Sequence, residues 1–170
     1  MPLRIPRLSG TLLGLAMACQ TPPQDAAIGT PPAPIDLPLT RFRQEPFGFA
    51  QSSGYNAATQ LVIQDQATWE QAWQVIHANR QPAPLVPAID FAHETIALAA
   101  LGRQNTGGYD IYIQSAAVED SQVVLTVRQT TPGSTCVTTQ ALTQPVDIVR
   151  LPRRREPVHF VARPEVLDCR

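Results

Sequence analysis

The sequence predicts an α+β domain, an antiparallel β-meander sheet packed by one main tryptophan-bearing helix, and three patterns carry that expectation. Trp69, Ala72, Trp73 and Ile76 fall at i, i+3, i+4 and i+7, which gives one helix a single apolar face. The run TIALAALG from Thr95 to Gly102 is apolar without alternation, as in a strand buried on both faces. Downstream, Tyr109, Ile111 and Ile113 alternate with Asp110, Tyr112 and Gln114, the two-residue period of a strand with one wet face.

In chain order, residues 60–64 (QLVIQ) read as a first strand. Thr68-Trp69-Glu70-Gln71 then fits a capping box, so the helix is expected to begin there, with Glu70, Gln71 and Gln74 toward water. It stops before Pro82, and residues 81–87 form a proline-rich connector into Ala88-Ile89-Asp90-Phe91. After the apolar strand, residues 103–108 make a turn. Residues 119–122 make the next, after which Val123, Leu125 and Val127 share one face opposite Thr126 and Arg128, completing a hairpin. Pro132-Gly133-Ser134 opens a loop to Thr143. Residues 146–151 are apolar with mixed phase, and Val158, Phe160 and Ala162 alternate once more.

The N-terminus carries an export address. Arg4 and Arg7 precede residues 8–18 (LSGTLLGLAMA), an apolar run too short to span a bilayer and of signal-peptide length. Ala16-Met17-Ala18-Cys19 resembles a bacterial lipobox, in which Cys19 is acylated and becomes the new N-terminus. Several acyl chains on one residue anchor a protein stably to a membrane, where one alone does so only marginally. Prolines at 22, 23, 31, 32, 34 and 38 then mark a stretch with almost no large apolar residue, an extended spacer. The expected organisation is a lipoprotein signal peptide over residues 1–19, a disordered proline-rich spacer over 20–41, and one α+β domain over 42–170. The protein is therefore expected in the bacterial cell envelope, exported and lipid-anchored.

All thirteen basic residues are arginine against fourteen acidic ones, and loss of Arg4 and Arg7 takes the formal charge from −1 to about −3. Such a chain presents no global positive field, which argues against nucleic acid as a partner. Besides Cys19 the chain has Cys136 and Cys169, and an exported domain with one remaining even pair predicts a disulfide between them. No CxxC or HxxxH spacing points to zinc, and no cofactor or metal is expected.

A catalytic constellation is not legible, and the chain is read as a non-enzyme. His77 lies near the end of the helix, where it can meet the dipole; His93 neighbours Glu94 and Asp90, the latter a simple turn acceptor; His159 points from the wetter face of a strand. Ser52-Ser53-Gly54 lacks the nucleophile-elbow pattern, and Cys136 has no histidine near it in sequence. Gly107-Gly108 is not a phosphate cradle, because a strand rather than a helix follows. Two glycines instead permit positive φ and close approach, in a structural turn or a recognition turn. Arg150, Arg153, Arg154 and Arg155 form the one charge cluster, a solvated strand end or a contact for an acidic partner or anionic headgroups.

Several of these segments in order resemble a known family. Ser53-Gly54, the Trp69/Trp73 helix with His77, Ile89-Asp90-Phe91, Thr106-Gly107-Gly108-Tyr109, residues 132–145 (PGSTCVTTQALTQP) and Ile148-Val149 are similar to the C-terminal domain of the protease complex subunit PrcB family. The pattern departs after Pro145, where Val146 and Asp147 stand in place of an aromatic residue. The resemblance implies an exported, non-catalytic accessory that docks on a protein partner and stabilises an exported protease, through a sheet edge and the turn formed by Asn105, Thr106, Gly107, Gly108 and Tyr109. A second expectation comes from the same turn, which loosely resembles the N-P-T-T-G-Y loop of chagasin-like protease inhibitors, without its proline.

Overall fold

Strand β4 (Glu94–Ala100) organises the molecule, because both of its faces are apolar and each requires cover. The computed structural model describes residues 33–42 and 51–170. Ile96, Leu98 and Ala100 face helix α1 (Gln66–Ile76), whereas Ala97 and Ala99 face a second sheet. Three layers result. The central sheet has the order β2 (Thr40–Arg41), β7 (Val146–Pro152), β4, β3 (Thr59–Ile63). The outer sheet has the order β1 (Ile35–Leu37), β5 (Asp110–Glu119), β6 (Gln122–Pro132), β8 (Val158–Leu167).

The expected helix and the mostly antiparallel strands are present, but the single meander is corrected to two sheets. The reason lies in β4 and β7, whose side chains alternate between two cores. Val146 and Ile148 of β7 join the tryptophan core, and Val149 and Leu151 join the core between the sheets. The mixed phase of this strand is thus the signature of burial on both faces. Because β7 leaves the hairpin for the central sheet, β8 returns beside β6 in parallel, Val123 opposite Val158 through Pro132 opposite Leu167.

Helix α1 starts upstream of the expected capping box. Asp65 is the N-cap, in extended conformation, and its carboxylate accepts from the Thr68 amide and hydroxyl at 2.8 Å each. Trp69, Ala72, Trp73 and Ile76 are all buried, as the spacing predicts. The proline-rich connector completes the hydrogen bonding of the tryptophans, since the indole N–H of Trp69 donates to Pro87 O and that of Trp73 to Pro84 O, both at 3.0 Å. Those bonds satisfy the only polar atoms that the tryptophan side chains bring into the core. His77, expected to meet the helix dipole, is instead buried against Trp73 with ring centroids 4.3 Å apart. Burial, and secondarily Arg80, push its pKa down, so the neutral imidazole is favoured.

Strand pairing is present upstream of the expected domain start at Phe42. Residues 35–37 pair with β5 (Ile35 opposite Val118) and residues 40–41 with β7 (Thr40 opposite Arg150), so one short strap crosses from the outer to the central sheet. Leu37 and Leu39 pack into the inter-sheet core and Phe42 against the tryptophans, which is why this end of the spacer is fixed. The expected signal segment, Cys19 and the upstream part of the expected spacer lie outside the described residues.

Cys136 and Cys169 form a disulfide with Cα atoms 4.9 Å apart, joining residues separated by 33 positions. The bridge fastens the chain end beyond β8 to the loop that follows β6. Replacing both cysteines by serine is expected to destabilise the fold by about 3 to 4 kcal/mol in the chain-entropy account. Urea unfolding checks this as a lower midpoint.

Candidate functional site

Three of the segments that carry the family resemblance come together at one end of the domain. The Asn105 to Tyr109 turn precedes β5, residues 133–145 join β6 to β7, and Ser53-Gly54 precedes β3. Backbone bonds tie the turn to the long loop: Gln104 and Thr143 exchange N–H···O bonds of 2.7 and 3.0 Å, and Gly107 N–H donates to Thr139 O at 3.0 Å. The Thr143 hydroxyl adds a bond of 2.9 Å to Thr106 O. Ser53, fully buried, donates through its hydroxyl to Gln144 O at 2.9 Å and accepts from the Tyr55 amide. Asn79 then links the helix end to Ser53 O and to the Gln144 side chain, which itself donates to Asn56 at 2.8 Å.

The two glycines of the turn serve this internal fit. A Cβ on Gly107 would lie 2.4 Å from the Thr139 hydroxyl, and Gly108 has φ +88° with Pro132 and Thr138 close by. Gly107 is buried while Asn105 and Gly108 are exposed, so the turn lies under the loop and only its rim meets solvent. Gly108→Val, a β-branched residue forced to positive φ, is expected to cost roughly 1 to 3 kcal/mol, read as a lower urea midpoint. At the other side of the loop Val137 is fully exposed, beside Cys136 of the disulfide.

The remaining candidate residues are dispersed. His93 Nδ1 lies 2.8 Å from Asp90 Oδ2 on an exposed turn; the hydrogen bond from His93, then the Ala92 amide, pulls the Asp90 carboxyl pKa down. Exposed His159 stands on the outer strand β8. Among the described residues, no group of three His, Cys, Asp or Glu is placed to hold a metal ion. The four clustered arginines play different parts. Arg153 donates to the backbone carbonyls of Gln64 and Phe91, Arg154 pairs with Glu156 at 2.7 Å, and Arg150 faces Glu94 at 3.6 Å. Arg155 has no carboxylate partner among the described residues.

One buried ion pair was not legible in the sequence. Asp147, 4% exposed, accepts from Arg41 at both oxygens (3.0 Å each) and from the Ile113 amide at 2.8 Å. Arg41 also donates to Ile113 O at 2.7 Å, and its guanidinium stacks 3.7 Å over the Tyr112 ring. A clasp thereby locks the strap to both sheets. The departure after Pro145 is also resolved: Val146 fills the tryptophan core and Asp147 holds the clasp, so both positions are interior.

Comparison with protein-family models gives a match over residues 95–152, to the family described as PrcB C-terminal. This segment is similar to the PrcB C-terminal family. It spans β4, β5, β6, the long loop and β7, and so takes in the turn, the loop and Asp147. The strap, α1 and β8 flank the matched segment on either side. No curated protein and no solved structure gave a match to the chain.

Proposed function

We propose that this protein is a non-catalytic accessory of the bacterial cell envelope, held to a membrane by lipid on Cys19, that docks on a protein partner and stabilises an exported protease complex. The match of residues 95–152 to the PrcB C-terminal family carries this reading. The way the polar groups are used supports it. Ser53, Gln144 and Thr143 are committed to joining segments of the fold, and Asp147 to clasping the strap. The disulfide agrees with an exported location.

Crosslinking and affinity capture from membranes test the docking, with mass spectrometry of the mature N-terminus for the anchor. The expected result is an acylated Cys19 and reproducible recovery of an exported protease or its complex. Cys19→Ser is expected to move the protein from the membrane to the soluble fraction. An unmodified N-terminus removes the anchor from this reading, and capture without any exported partner removes the docking.

A further inference from the structure

The two sides of the sandwich end differently: the last strands on one side, β1 and β2, belong to a single strap, and those on the other do not. On one side the strap pairs with β5 and then β7. On the other, β3 and β8 are the last strands of their sheets, and no described strand pairs with the outer edge of either. A groove of about 810 Å³ lies between them, lined by Val62, Gln64, Asp65, Arg155, Pro157 and Val158 among others.

Two bonds at the ends of the β6–β8 ladder set the phase of the edge. Val123 N–H donates to Pro157 O and Gly133 N–H to Leu167 O, so odd-numbered residues of β8 direct their backbone groups at β6. The even-numbered residues Val158, Phe160, Ala162, Pro164 and Val166 therefore turn theirs outward. Pro164 stands where an absent N–H costs the sheet nothing, and it interrupts the row of outward donors. Upstream of it, Val158, Phe160 and Ala162 present three alternate N–H and C=O pairs to any added strand. Charge at this edge is positive. Arg155 and Arg163 have no carboxylate partner among the described residues. The nearby acids are engaged: Asp65 caps α1, Glu156 pairs with Arg154, and Glu165 faces Arg128.

We infer that the outer edge of β8 from Val158 to Ala162 is a strand-addition site for an extended, acidic segment of a protein partner. The inference rests on the docking function proposed above and names its surface. Main-chain bonds to the three outward residues supply the pairing, and Arg155 and Arg163 select for carboxylates. Pro164 limits the register to the first half of the strand.

The test is a titration of the full chain with a synthetic peptide of roughly eight residues, alternating Glu with Thr or Val, against a counterpart with Lys for Glu. Amide exchange is expected to slow at Val158, Phe160 and Ala162 on binding, with the odd-numbered amides already slow in the free protein. The Lys peptide is expected to bind about tenfold more weakly. Ala162→Pro removes an outward N–H without touching the bonds to β6, and is expected to weaken the Glu peptide about tenfold while cooperative unfolding is kept. Arg155→Glu, which leaves the backbone edge intact, is expected to weaken the Glu peptide and strengthen the Lys peptide. Equal binding of both peptides, indifference to Ala162→Pro, or protection confined to the Asn105 to Tyr109 turn overturns the inference. A dimer of the free protein that Ala162→Pro abolishes gives the edge to a second copy, and even-numbered amides already protected in the free monomer give it to the chain's own N-terminal residues; both overturn it. A failed membrane capture leaves this titration readable, and a failed titration leaves the capture result standing.

Discussion

Trp69→Ala is expected to destabilise the protein by roughly 3 to 5 kcal/mol, a large share of the roughly 5 to 15 kcal/mol that hold a typical domain together. Trp69 is fully buried, and its ring centroid lies 5.1 Å from that of Trp73 and 5.3 Å from that of Phe42. Truncation thus opens a cavity at the point where helix, central sheet and strap meet, and a close-packed surround refills it only in part. It also strips Pro87 O of its donor and frees the connector that wraps the helix. Trp69→Phe keeps most of the ring volume while losing the N–H, so it is expected to cost about 1 to 3 kcal/mol. Urea unfolding, followed by far-ultraviolet circular dichroism, measures both. Equal losses in the two variants would show that the hydrogen bond to Pro87, not ring volume, carries the effect.

Periodicity revealed what periodicity encodes. The i, i+3, i+4, i+7 pattern of Trp69, Ala72, Trp73 and Ile76 identifies the buried helix face because an amphipathic helix has one stripe to hide. The unbroken run of β4 correctly announces a strand covered on both sides. A single meander with one helix offers cover for one face only, so the same run implied a second sheet, and the mixed phase of β7 said so again. Nothing local indicates that β8 pairs in parallel with β6, since that partner is chosen by where β7 goes. The spacer boundary was obscured for a related reason. Ile35, Leu37 and Leu39 are sparse among prolines and look unable to order themselves, and they order only on edges supplied by β5 and β7. In the candidate site, the Thr106 to Tyr109 turn and the long loop were visible as punctuation, and their mutual packing follows from threonine hydroxyls and glycine surfaces that carry no periodic signal. The Arg41–Asp147 clasp joins residues 106 positions apart, beyond any pattern of spacing.

That clasp gives the second large effect. Asp147→Ala leaves the Arg41 guanidinium and the Ile113 amide without their acceptor in the interior. Breaking a buried pair from one side costs roughly 3 to 5 kcal/mol, and because the Arg41 side chain keeps 30% of its exposure, the expected loss is about 3 kcal/mol. Arg41→Met combined with Asp147→Leu removes both charges and is expected to regain part of this, but not the roughly 1 to 3 kcal/mol owed to the unpaired Ile113 amide. The dependence on pH runs against the usual carboxylate. Burial pushes the Asp147 pKa up, more than the Ile113 amide and Arg41 pull it down. The folded state consequently binds this proton more tightly than the unfolded chain does. The stability that Asp147 contributes is then greatest below its unfolded value of about 4, and it falls as pH rises through the raised folded value. Compared with Asp147→Asn, which cannot titrate, the native protein is expected to lose relative stability between acid and neutral pH. Denaturant midpoints of the two proteins across that range measure the difference, and a native advantage that grows toward neutral pH would mean that Arg41, rather than burial, governs the carboxylate.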